Sequence, residues 1–298
     1  MDILKKIIRE KRPNIADSSV RTYSSLLKNL YYRDEKNKDK PIDLNWFKDS
    51  DNVLPLLEDK TPQTRKTNLA AMIVLLDGKA PKKYVDMMNT DADKTKENYE
   101  KQEKTDKQEQ NWIDYEDVVD LWNSRYKKMK TILYNSEPKD KREKQELSRF
   151  MAQTVTGGIF FTPRRSEWIY VKVRNYDPKT DNYLDMKNNE FVFQKYKTAK
   201  QYGEERVTFP KEFKAILARY IKCVDNDYLL FNKNEAPMTN VNLTQSLNSI
   251  YGKKISTTML RHIYLSHKFK DMPSLVELQD TAKGMGHSVA QMLEYVKK

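Results

Sequence analysis

The chain has 298 residues, 38% hydrophobic and 33% charged, with a formal net charge of +12. That length exceeds what one ordinary core uses and predicts two domains. No apolar run is long enough to span a bilayer, and the single cysteine, Cys223, excludes both an intrachain disulfide framework and a cysteine-based zinc site, so a reducing compartment is expected.

The first twelve residues are basic and lack an apolar secretory stretch, so no signal peptide is expected. Read in chain order, the first ninety residues predict a small helical bundle. Asp17-Ser18-Ser19 offers an N-cap, and Tyr23, Leu26, Leu27, Leu30 and Tyr31 follow at helical spacing. A second helix is expected after Thr61, with Pro62 in its first turn and Asp77-Gly78 at its end. A third is expected over 82–88. Arg21, Lys28, Arg65 and Lys66 make these helices basic, which fits either a solvated face or contacts to DNA phosphates. Residues 91–110 hold almost no apolar side chain besides Tyr99. They predict a charged linker, or a solvated helix without a core face.

Helical patterns resume over 114–126 and from about Lys141 to Thr156. A β-rich stretch follows at 168–173, then a short one at 183–185. Two further strands, 190–198 and 206–209, are joined across 200–203, where Gly203 suits a turn position with positive φ. Beyond Pro210, helices are expected over 211–223, 239–251, 256–268 and 274–284, and from Ser288 onward. The expected fold class is mainly α with a small antiparallel β-sheet. The expected domains are 1–90, a linker at 91–110, and 111–298.

The basic surplus favours a polyanionic partner, nucleic acid first. Only seven glycines occur, and no Gly-Lys-Ser/Thr phosphate loop is among them. All three histidines, His262, His267 and His287, fall in the last forty-odd residues. They accompany an Arg261-His262 pair, a Gly286-His287-Ser288 turn and Tyr295. Far upstream stands Thr162-Pro163-Arg164-Arg165-Ser166-Glu167. Guanidinium groups bind two phosphate oxygens in a fixed fork, and a tyrosine phenol can serve as a covalent nucleophile. Each feature alone is weak, and a surface arginine pair or exposed hairpin lysines would be ordinary. The order carries the specificity: arginine, hairpin lysine, Arg-His, Gly-His, tyrosine.

In that order, the residues from Thr162 to Tyr295 resemble the catalytic domain of the tyrosine recombinases, the phage-integrase-like family. The likeness covers roughly residues 111–298, and the helical bundle before it looks like that family's core-binding domain. The Pro163-Arg164-Arg165 form of the first motif is most similar to integrases of eukaryotic DNA viruses and mobile elements. The resemblance implies that Arg164, three residues before Glu167, is the first catalytic arginine, with Arg165 as the alternative. It implies a hairpin lysine, Lys197, with Lys195 and Lys200 as rivals. It makes Arg261 the second arginine, His287 a phosphate-binding group and Tyr295 the nucleophile, with Glu167 and His262 in support. Thr258 stands where the family usually has a histidine. This is the chief departure, because a hydroxyl is a poor proton acceptor.

The implied activity is DNA strand breakage and rejoining through a 3′-phosphotyrosine, without metal or other cofactor. The implied partners are double-stranded DNA and a tetramer assembled on two DNA sites, with no membrane. The implied location is the nucleus or cytoplasm of a host cell, or a virion. Three rival readings stand beside it. A type IB topoisomerase would relax supercoils by similar chemistry. A DNA-binding relative with a decayed active site is invited by Thr258. A basic RNA-binding protein would need a stacking sheet, for which the Phe191/Phe193 strand is short.

Overall fold

The computed structural model describes residues 3–135, 139–284 and 288–294. Among these, 3–103 and 273–294 belong to one compact unit and 104–272 to another. No helix among the described residues is long and apolar enough to cross a membrane.

The first unit opens with α1 (Ile3–Lys11) and α2 (Asp17–Arg33). The expected Asp17-Ser18-Ser19 cap is not used as one. Helix α2 begins at Asp17, Ala16 takes the N-cap position without a side-chain bond, and the Asp17 carboxylate lies 2.6 Å from Arg9 Nη2. After the short α3 (Ser50–Val53), α4 (Pro62–Leu76) starts as predicted, with Pro62 in its first turn and the Thr61 hydroxyl accepting from the Thr64 N–H. Asp77 closes it in the left-handed conformation, at φ 44°. Helix α5 runs over Lys82–Glu100, well past the expected 82–88. Residues 91–100 are therefore helical, and Asp91 within them is fully buried. Leu4, Leu27, Phe47, Leu69, Met72 and Tyr84 anchor the core of this unit, and the Tyr84 hydroxyl donates to Phe47 O at 3.0 Å.

The second unit begins with α6 (Asp106–Asn111), α7 (Tyr115–Tyr134) and α8 (Lys141–Thr156). Asp140 and Glu143 form a reciprocal capping box at the start of α8. A four-stranded sheet follows: β1 (Val171–Lys172), β2 (Asn182–Asp185), β3 (Glu190–Phe193) and β4 (Glu205–Thr208). They lie side by side in that order. The sheet is mixed, which corrects the antiparallel expectation: β1 and β2 run parallel, whereas β2–β3 and β3–β4 are antiparallel. The other edge of β1 is also paired. Val173 N–H donates to Asp227 O at 2.7 Å and Leu229 N–H to Val171 O at 2.9 Å, so β1 is held between β2 and a segment far along the chain. Only two residues of the β-rich stretch are strand, and Ser166–Tyr170 is a 3-10 helix.

The β3–β4 connection carries a one-turn helix, α9 (Ala199–Tyr202), then Gly203 at φ 72°, the positive φ predicted there. Helices α10 (Lys211–Val224), α11 (Asn240–Tyr251) and α12 (Thr257–Lys268) pack around the sheet's unit. Its aromatic centre is Trp168, edge-on to Phe191 and Phe193 at ring distances of 5.0 and 5.1 Å. The last helices, α13 (Leu275–Gly284) and α14 (Val289–Glu294), group with the N-terminal unit. There the Leu275 N–H donates to Gln102 Oε1 at 2.7 Å.

Candidate functional site

The arginine motif leaves α8 through Gly157 and Gly158. Gly158 adopts φ +78°, and a Cβ there would lie 2.6 Å from the Tyr264 ring and 3.3 Å from Pro163. Only glycine lets the backbone pass this close to α12. The Tyr115 hydroxyl donates to Gly158 O at 2.6 Å and pins the turn from α7. Burial of Tyr115 pushes its phenol up to about 12, which keeps this donor protonated. Tyr264 stands three residues beyond Arg261 on α12, on the same side of the helix. The tight turn thus brings the Thr162–Arg165 loop beside Arg261.

Arg164, Arg165, Glu167 and Arg261 line one cleft of about 540 Å³, together with Thr162, Tyr196, Thr198, Glu205 and Arg206. The Arg164 guanidinium is 4.3 Å from the centre of the Phe193 ring and 5.4 Å from that of Tyr196. Its Nη1 is 2.8 Å from Glu205 Oε1, and its Nη2 donates to Glu205 Oε2 at 2.9 Å. Glu167 Oε1 lies 3.3 Å from Nη2. Strand register explains the placement. Glu205 is the cross-strand partner of Phe193, so the ring and the carboxylate share one face of the sheet and hold the same cation. Hydrogen bonding from Arg164 holds the Glu205 carboxyl below the usual carboxylate range. Arg165 is exposed and Arg261 half-buried. Neither has a hydrogen-bond or ion-pair partner among the described residues.

The other expected residues fall as follows. Lys195 is engaged 3.3 Å from Asp181. Lys197 and Lys200 are exposed and outside the cleft lining, although Thr198 between them is part of it. Thr258 sits in the first turn of α12, exposed, and His262 is exposed beside Arg261; neither lines the cleft. His287 and Tyr295 lie outside the described residues. Of the four basic residues proposed for DNA phosphates, Arg21 and Lys28 are exposed on α2 and Lys66 is half-buried. Arg65 is turned inward: its Nε–H and Nη2–H donate to the two oxygens of buried Asp91 at 2.7 and 2.5 Å. That fork is already filled by a carboxylate, so as the protein stands it is not open to a phosphate.

Glu205, Arg206, Tyr196 and Thr198 were not singled out from sequence. Arg206 pairs with Glu190 at 3.1 Å and Glu204 at 2.8 Å. Their signal was the predicted hairpin itself, whose register decides which side chains meet Arg164. Among the described residues, no three His, Cys, Asp or Glu side chains gather to hold a metal ion. The arrangement offers a lined cleft with two guanidinium groups unpaired among the described residues and one in a carboxylate-filled fork, a setting for an oxyanion with two free oxygens. No protein-family model matches the chain, no curated protein is similar to it, and no solved structure matches it.

Proposed function

We propose that the protein is a site-specific DNA recombinase or integrase that cleaves and rejoins DNA through a 3′-phosphotyrosine. The observation that supports this most is that Arg164 and Arg261, far apart in sequence, line the same cleft. In this reading the two guanidinium groups neutralise charge developing on the non-bridging oxygens of the scissile phosphate, usually the largest contribution in such sites. Arg165 is the alternative to Arg164. Glu167 fixes Arg164 from behind, at 3.3 Å.

The Tyr295 phenol gives its proton to His287, to water or to the phosphate as its oxygen attacks phosphorus, the bond to the 5′ oxygen breaks, and Lys197 gives that oxygen a proton. His287 hydrogen-bonds the phosphate. Because the phosphotyrosyl bond conserves the energy of the broken link, the reverse attack by a 5′ hydroxyl reseals the strand without a nucleotide or other cofactor. The N-terminal helices form a core-binding domain in this reading, and four protomers act on two double-stranded DNA sites in a nucleus, cytoplasm or virion. Exposed Thr258 and Lys197, both outside the cleft lining, favour a second reading, a DNA-binding relative with weakened catalysis.

A nicked suicide substrate separates the two. On it the released 5′ end is lost and a covalent adduct accumulates. Wild type is expected to give a slow-migrating band on a denaturing gel and Tyr295→Phe none, with DNA affinity retained, since only one oxygen is removed. DNA binding by wild type without an adduct supports the weakened relative. An undiminished adduct in Tyr295→Phe points to another nucleophile, with Tyr264 first in line because it lies one turn from Arg261.

A further inference from the structure

Arg164 gives both of its terminal nitrogens to one carboxylate, Glu205, at 2.8 and 2.9 Å, and a second carboxylate, Glu167, stands at 3.3 Å. One positive charge therefore faces two negative ones. The two glutamates differ in setting. The Glu167 side chain is 10% exposed and belongs to the buried 3-10 turn after the arginine motif, whereas the Glu205 side chain is 47% exposed. Glu205 is the first residue of β4, two positions after Gly203. Next to this over-neutralised fork, Arg165 and Arg261 line the same cleft without partners among the described residues.

A carboxylate offers two oxygens and one negative charge to a guanidinium fork, and so does a phosphodiester. We infer that Glu205 is a displaceable counter-ion, which fills the Arg164 fork in place of a phosphate and swings out when nucleic acid binds. This rests on the proposed reading for the choice of phosphodiester as the ligand. The exposure of Glu205 makes displacement feasible, because its carboxylate can leave into water while Arg164, 12% exposed, stays in place against Phe193. Glu167, nearly buried, stays behind and keeps the guanidinium oriented. Arg164 holds the Glu205 carboxyl below its ordinary range, so at neutral pH the glutamate leaves by competition rather than by protonation. A tethered carboxylate also competes at high effective concentration. A small free anion is therefore excluded, while a duplex anchored at many phosphates is not. Glu205 becomes a positioning residue that sets the cleft's preference for polymeric over free phosphate.

The test uses the full chain and inorganic phosphate, titrated by calorimetry, with wild type and Glu205→Gln compared. The expected result is phosphate binding at least about tenfold tighter in Glu205→Gln, the size of one charge-assisted contact made free. The gain should vanish in Glu205→Gln/Arg164→Ala. If Glu205→Gln fails to fold, Glu205→Asp serves instead: its side chain is one methylene shorter, so from β4 its carboxylate no longer reaches both Arg164 nitrogens, and this variant should bind phosphate more tightly than wild type. Unchanged or weaker phosphate binding in a folded variant overturns the inference. The suicide-substrate assay keeps this apart from the recombinase reading. A phosphate gain without any wild-type adduct sinks recombination and leaves the counter-ion standing. An adduct without a phosphate gain does the reverse.

Discussion

Arg65 and Asp91 show how a charge counted as surface can belong to the interior. Asp91 is fully buried and the Arg65 side chain 18% exposed, and the two make a bidentate pair across α4 and α5. The aspartate raises the arginine's pKa above its ordinary value, chiefly by accepting its hydrogen bonds. Removing one partner strands the other charge out of water, a loss of about 3–5 kcal/mol in comparable pairs. Arg65→Ala is expected to destabilise the chain by that amount in urea unfolding. Replacing both residues by apolar ones of similar volume should recover most of it. A loss below about 1 kcal/mol in Arg65→Ala would mean that water reaches Asp91 and that the pair is a surface one. Sequence could not reveal this pairing. Arg65 sits in a run of polar residues at the start of α4, and Asp91 in a stretch with almost no apolar side chain, so a hydropathy pattern treats both as solvated. The extension of α5 matches the other reading of this stretch, a solvated helix without a core face: most of 92–100 is exposed, and only Asp91 and Thr95 of 91–100 are buried.

At the scale of elements, helices announced themselves and strand partners did not. Helices α2, α8 and α10 to α12 each have apolar residues returning every third or fourth position, a local signal that needs no knowledge of neighbours, and α4 is marked instead by its Thr61-Pro62 start and its Asp77-Gly78 stop. Strand β1 has no such signal for its direction, because its partners are set by residues 182–183 on one edge and 227–229 on the other. The loop between β1 and β2 is tied by Asp181. Its carboxylate lies 2.9 Å from Lys172 Nζ, accepts the Asp177 N–H at 3.0 Å and stands 3.3 Å from Lys195 Nζ. These partners, Lys172 foremost, lower its pKa from 3.8 to about 2. A folded-state value below the unfolded one gives stability that is complete above pH 3.8 and disappears as pH falls through about 2. Denaturation midpoints measured between pH 5 and pH 2 should therefore fall less steeply in Asp181→Asn than in wild type. Parallel slopes for the two proteins would mean that the carboxylate titrates alike folded and unfolded. The candidate site divides along the same line. The arginine motif and Arg261, which share the cleft while His262 lies outside its lining, were legible because their order along the chain carries them. Glu205 was not, because only the β3–β4 register puts it opposite Phe193 and under the Arg164 fork.

Taken whole, the molecule carries 55 Lys and Arg against 43 Asp and Glu, the source of its +12 charge. Not all of that charge can meet a polyanion. Arg33, Arg65, Arg164 and Arg206 are held by Asp59, Asp91, Glu205 and Glu190 respectively, so the charges open to phosphates without rearrangement are those unpaired among the described residues, Arg165 and Arg261 in the cleft and Arg21 and Lys28 on α2 among them. Each phosphate neutralised releases condensed counterions, and the logarithm of affinity then falls linearly with the logarithm of salt. If a duplex engages roughly six to ten phosphates, its affinity should drop about a thousandfold or more between 50 and 200 mM salt. Fluorescence anisotropy of a labelled duplex across that range measures the slope directly. Arg21→Ala/Lys28→Ala should flatten it by about two phosphates' worth, whereas Arg65→Ala, in whatever fraction stays folded, should leave it unchanged because that guanidinium is already occupied by Asp91. A slope near zero in wild type would mean that the basic surplus does not meet a phosphate backbone at all, and the nucleic-acid reading would fall with it.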